Sequence, residues 1–151
     1  MRNFSKVLLG VLVLSWSPFA FANSLDDVSG LWLNDNKSGH INIEDCGDGT
    51  PCGTLVWVEL SEDGANGMDR HNPDKTLATR PLVGVQLLYG FKLKSDKWKS
   101  GKIYNPKDGK TYGSSIKRLE DGTLQVKGCI GPICKKQIWT KIDTPALVQT
   151  P

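Results

Sequence analysis

The chain is 151 residues long, 38% hydrophobic and 23% charged, and its 19 basic and 16 acidic side chains give a formal charge of +3. That length suits one domain, and so small a surplus of charge implies no polyanion partner such as nucleic acid.

The chain opens with a leader. Arg2 and Lys6 precede an apolar run from Val7 to Trp16, and Ala20-Phe21-Ala22 supplies a small-residue cleavage site, so residues 1–22 read as a removable export signal. About ten apolar residues fall short of the roughly 20 that a spanning helix needs, and no later stretch is long and apolar enough to cross a bilayer. A periplasmic or secreted location is expected. Without Arg2 and Lys6 the remaining domain, 23–151, holds 17 basic and 16 acidic groups, a net charge of +1.

From residue 30 onward apolar residues recur with period two, and turn chemistry marks each break. Val85, Leu87, Tyr89, Phe91 and Leu93 point one way while Gln86, Gly90, Lys92 and Lys94 point the other, with Leu88 the exception. Shorter signals are Ile41 with Ile43, Thr54 with Val56 and Val58, Tyr112 with Ile116, Leu124 with Val126, and Ile138 with Ile142. They predict strands near 30–34, 40–45, 53–60, 84–93, 97–105, 110–119, 123–129 and 134–142. Trp98 and Ile103 have opposite parity, and Gly101 between them suggests a bulge that resets the register. Lys92, Lys94, Lys97, Lys99 and Lys102 read as guards against edge pairing, with an anionic surface as the alternative partner.

Short links such as Asn105-Pro106-Lys107-Asp108-Gly109 and Glu120-Asp121-Gly122 make consecutive strands pair antiparallel. Closing that meander removes both edges, so the expected fold is all-β: an eight-stranded antiparallel up-and-down barrel, with room for side chains or one small ligand. In a meander every second turn lies at the same end. With the first strand running upward, Cys46 and Cys52 lie at the bottom and Cys129 and Cys134 at the top, separated by on the order of 20 Å at about 3.3 Å per residue. Bridged Cα atoms lie within roughly 7 Å, so Cys46 pairs with Cys52 and Cys129 with Cys134. Zinc would call for paired Cys-x-x-Cys spacings, which are absent, and no metal or cofactor is expected.

Gly30 and Trp32 open the first strand at the bottom, where the last strand brings down Lys141 to lie over the indole as a closing staple. Gly30-Leu31-Trp32 with a late-strand cation resembles the signature of lipocalin and calycin barrels, with Lys141 where many of those proteins carry Arg. A wider resemblance covers nearly the whole exported domain. It rests on Gly30-Leu31-Trp32, Ile41-x-Ile43-x-x-Cys46-Gly47, Cys52-Gly53, Asn72-Pro73-Asp74, Arg80-Pro81-Leu82-x-Gly84, Gly101-Lys102-Ile103-Tyr104-Asn105-Pro106, Asp108-Gly109-Lys110-Thr111-Tyr112, Gly128-Cys129 and Cys134 with Trp139. On these residues the chain resembles the bacterial family called domain of unknown function 2147, which implies an exported, lipocalin-like protein and supplies no ligand.

Candidate function gathers at the top, where the loop from Ser61 to Val83 is the one long irregular connection. One reading is a mouth in which Asp69, Asn72, Asp74, Arg80, Tyr104, Asn105, Asp108 and Tyr112 meet a ligand's polar head while Val56, Val58, Leu87, Tyr89 and Ile116 contact its apolar body. The other is a lid folded by its own side chain to backbone bonds and ion pairs. For Arg80 the first reading expects a larger effect on binding than on folding. His71 near Asp69 and Asp74 suggests an imidazole base, but no Gly-x-Ser-x-Gly turn accompanies it. Asp63, Asn66 and Asp69 hint at a calcium loop that lacks its twelfth-position carboxylate. The expected class is therefore a non-catalytic binding protein for a small, partly apolar ligand. Its competitor is an envelope protein-interaction module, an inhibitor or accessory factor, that uses the rim loops.

Overall fold

A computed structural model describes residues 24–60 and 67–143. The export leader, and Asp63 and Asn66 of the calcium reading, lie outside the described residues.

A short helix, α1 (Leu25–Val28), precedes nine strands: β1 (Gly30–Leu33), β2 (Gly39–Asp45), β3 (Pro51–Val58), β4 (Gln86–Tyr89), β5 (Lys92–Lys94), β6 (Lys97–Asn105), β7 (Lys110–Arg118), β8 (Leu124–Ile130) and β9 (Ile133–Lys141). Each pairs antiparallel with its neighbour in sequence, apart from β4 and β5. The ring closes where β1 meets β9, with Trp32 opposite Lys141. β4 and β5 both pair with β6, so they are two pieces of one expected strand, bent at Gly90-Phe91. The result is the closed eight-strand barrel, lipocalin-like in form, with β5 as an extension of its fourth wall. On that extension Lys92 faces Lys99 and Lys94 faces Lys97, like charges across the ladder that oppose pairing.

Irregularities adjust which side chains face inward. Opposite β2, His40 pairs with Trp57 and Ile41 with Leu55, so Val56 is the extra residue of a bulge. Leu55 is consequently buried and Val56 exposed, reversing the expected parity, while Val58 beyond the bulge returns to the interior. Between β3 and β4 the register slips again, Thr54 facing Gln86 and Gly53 facing Leu88. That slip buries both Leu87 and Leu88. The bulge expected near Gly101 centres on Lys99 and Ser100, since Trp98 pairs with Ile116 but Gly101 with Ser114. Gly101 has a different role: a Cβ there would stand 2.3 Å from the Phe91 ring, so its bare backbone makes the recess that ring fills. In β9 the inward residue is the buried Trp139 and not Ile138, the opposite of the parity expected there.

The lower half of the barrel is filled. Val28, Trp32, Ile43, Phe91, Trp98, Ile116 and Leu124 are all buried there, and α1 closes the floor with the Trp32 Nε1–H donating to the Val28 carbonyl at 2.9 Å. The indole carries two cations. Lys141 Nζ lies 5.7 Å from the ring centroid, but Arg118 from the end of β7 is closer, its Cζ at 4.8 Å. The guanidinium of a lipocalin-type staple is thus present, supplied by the end of β7 and not by the last strand. Cys46–Cys52 closes the bottom turn and Cys129–Cys134 the top hairpin, with Cα atoms 5.1 and 4.0 Å apart.

Candidate functional site

The upper half of the same barrel is hollow. A cavity of about 1210 Å³ opens at the top, walled by Ile41, Leu55, Leu87, Ile103, Val126 and Trp139. Three turns form the rim, one after β1 with Asn34 and Asn36, one between β6 and β7, and the β8–β9 tip with Ile130 and Ile133. Met68, Arg70, His71 and Leu82 of the long loop overhang the opening.

A buried carboxylate holds that loop in place. Asp69 is fully buried and receives the Tyr104 hydroxyl at 2.5 Å, the Asn72 amide at 2.8 Å and the Arg80 Nε–H at 3.0 Å, with Arg80 Nη2 at 2.8 Å completing an ion pair. Four bonds to one carboxylate satisfy a charge that burial alone would make costly. Burial, with the Asp69 carboxylate beside it, pushes the Tyr104 phenol up to about 12. Asp74 folds the adjoining turn, accepting from both the N–H and hydroxyl of Thr76, and the hydroxyl bond holds its carboxyl below the ordinary value. The loop also rests on the β6–β7 turn. Gly109 has φ +67°, and a Cβ there would lie 1.8 Å from the His71 carbonyl oxygen, so only glycine fits beneath the loop. His71 Nδ1 approaches the Pro106 carbonyl at 3.3 Å. Asp69 bonds Tyr104, Asn72 and Arg80, and Asp74 bonds Thr76, so neither carboxylate is the partner that the sequence suggested for that imidazole.

The sequence-level candidates therefore divide. Val58, Leu87, Tyr104, Asn105, Asp108 and Tyr112 line the cavity. Asp69, Asn72, Asp74 and Arg80 bond within the loop and do not line it; Val56 is on the outside; Tyr89 is half-buried outside the cavity, and Ile116 is packed in the lower core. At the rim the Tyr112 hydroxyl donates to Asp108, which raises the phenol's pKa. Overlooked wall residues include Lys135, Gln137 and Trp139, which alternate along β9 with period two. That alternation was available as a signal but was obscured by the apolar Ile138. No group of histidine, cysteine and acidic side chains able to hold a metal occurs among the described residues.

Residues 30–141 match the family described as "uncharacterized protein conserved in bacteria (DUF2147)". Among solved structures the chain is similar to protein HP1028 from Helicobacter pylori, described as belonging to the lipocalin family. The two share 24% identity over 77% of this chain and 83% of that one, with a TM-score of 0.66. No curated protein matches the chain.

Proposed function

The chain belongs to the DUF2147 family, and from that premise we propose that it is an exported, non-catalytic binding protein that holds one small, partly apolar molecule in the upper half of its barrel. The reading rests on the cavity of about 1210 Å³ beneath the overhanging loop, apolar along its walls and with polar as well as apolar side chains at its rim. Export is supported by the leader pattern of residues 1–22 and by two disulfides, which persist in oxidising compartments. Native mass spectrometry of protein purified from its own envelope tests the proposal. A co-purifying small molecule, lost on Leu55→Trp, is the expected result; an empty protein that also fails to bind apolar fluorescent probes would sink it.

A second reading has its own observation. Ile130 and Ile133 at the β8–β9 tip are 65% and 77% exposed, and Leu60 across the mouth is 63% exposed. Apolar side chains so placed suit an envelope protein docking on the rim. Crosslinking in intact cells, abolished by Ile133→Asp, would favour it.

A further inference from the structure

β8 and β9 present one inward-facing ladder to the cavity, in which Ile130 stands opposite Ile133, Gly128 opposite Lys135, Val126 opposite Gln137 and Leu124 opposite Trp139. All but Leu124 line the cavity, whereas Lys136 and Ile138, one residue out of phase, do not. A lysine and an amide therefore occupy consecutive inward positions above an apolar wall, roughly 6.6 Å apart along the strand at about 3.3 Å per residue.

Opposite Lys135 the ladder has a gap. A Cβ on Gly128 would stand 3.5 Å from Ile103 and 3.9 Å from Tyr112, ordinary contact, so a methyl would fit there and glycine leaves that room unfilled. Several acceptors at the mouth already hold a donor. Asp108 accepts from Tyr112 and from the Lys110 N–H, Asn105 Oδ1 from the Lys107 N–H, and Asn34 Oδ1 from the N–H groups of Ser38 and Gly39. Gln137 Oε1 accepts the Trp139 indole N–H at 2.9 Å, which leaves the amide's N–H₂ as its end for a ligand. Among these side chains the acceptors are engaged and the donors of Lys135 and Gln137 remain. The Glu59 carboxylate stands just past the end of β3, three strands away around the ring.

We propose that the space beside Gly128 is an anion subsite and that the ligand is an anionic amphiphile with a single apolar tail. Its carboxylate or phosphate head sits on Lys135 and Gln137, and its tail runs down past Val126 and Leu55 toward Trp139. The proposal rests on the carrier reading above and adds the chemical class of the ligand. Charge-assisted bonds to such a head are roughly twice as strong as neutral ones.

The test compares three probes of equal chain length on the disulfide-intact protein: a fluorescent polyene fatty acid, the corresponding alkyl phosphate, and the corresponding alcohol. The expected result is at least about tenfold tighter binding of one or both anions than of the alcohol, the tighter anion identifying the head. Lys135→Met abolishes that preference, weakening the anions at least about tenfold and the alcohol far less, with the melting temperature unchanged because Lys135 is exposed. Equal affinity for anions and alcohol, or a preference that survives Lys135→Met, overturns the subsite and leaves the carrier reading standing. If none of the three binds, the subsite falls, and the co-purification experiment above decides the carrier reading separately.

Discussion

The Tyr104 hydroxyl donates to the Asp69 carboxylate at 2.5 Å, so a strand of the barrel wall and the long loop above it are joined through two buried side chains. This bond carries a pH signature. Burial and the neighbouring carboxylate raise the phenol from 10.0 to about 12, which means the folded state prefers the protonated form. Its contribution is complete below about pH 10 and is lost as pH climbs through 12. The stability difference between the unaltered protein and Tyr104→Phe, from urea unfolding, should therefore shrink over that window by on the order of 2 kcal/mol. A difference that stays constant across it would show that Asp69 does not hold the phenol.

Arg80 is the charge partner of the same carboxylate and does not line the cavity. Arg80→Ala leaves Asp69 buried without its cation and should destabilise by about 2 to 3 kcal/mol, with ligand affinity nearly unchanged in the protein that remains folded. That is the reverse of the effect the loop's sequence suggested. Binding assays beside denaturant melts separate the two outcomes.

Trp32 is fully buried beneath two cations. Trp32→Ala should cost roughly 3 to 5 kcal/mol, as a large aromatic truncated in a packed core. Arg118→Met, which keeps the aliphatic stem, should cost only about 0.5 to 2 kcal/mol. Thermal unfolding checks the ranking; equal losses would mean the indole matters only as a seat for the guanidinium.

Gly109→Ala introduces both a disfavoured φ of +67° and a methyl 1.8 Å from the His71 carbonyl. The turn or the loop must yield, at a cost above the roughly 1 kcal/mol of a simple glycine replacement at positive φ. Amide exchange should show faster exchange at Asp69 and Asn72, whose N–H groups bond to Arg80 and Asp69 carbonyls within the loop, with the β7–β8 ladder unaffected.

Strand order and both disulfides were legible because they follow from local signals: alternation, tight-turn residues and the rule that neighbours in a meander pair. Side-chain direction was less legible, and the reasons are physical. The Val56 bulge and the slip at Leu87 each add one residue to a strand, and one residue exchanges inside for outside. In β9 the apolar Ile138 marks the wrong face because Lys135 and Gln137 line a solvated mouth, where polar residues are tolerated inward. Arg118 could not be tied to Trp32 by spacing, since 86 positions separate them and only ring closure brings β7 to the floor. The long loop was correctly singled out as unusual. Its charged residues supported two readings, ligand contacts or a lid fastened by its own ion pairs, because composition does not distinguish a side chain that greets a solute from one that fastens its own backbone, and the Arg80–Asp69 pair fits the second.

Trp32 and the packed layer around it give the barrel a blind end. If the barrel carries a molecule as proposed, the described residues offer it a single doorway at the top, so it would arrive and depart along the same path. On that reading a receiver would approach the same face that loads the barrel, the face overhung by the loop that Asp69 fastens to Tyr104.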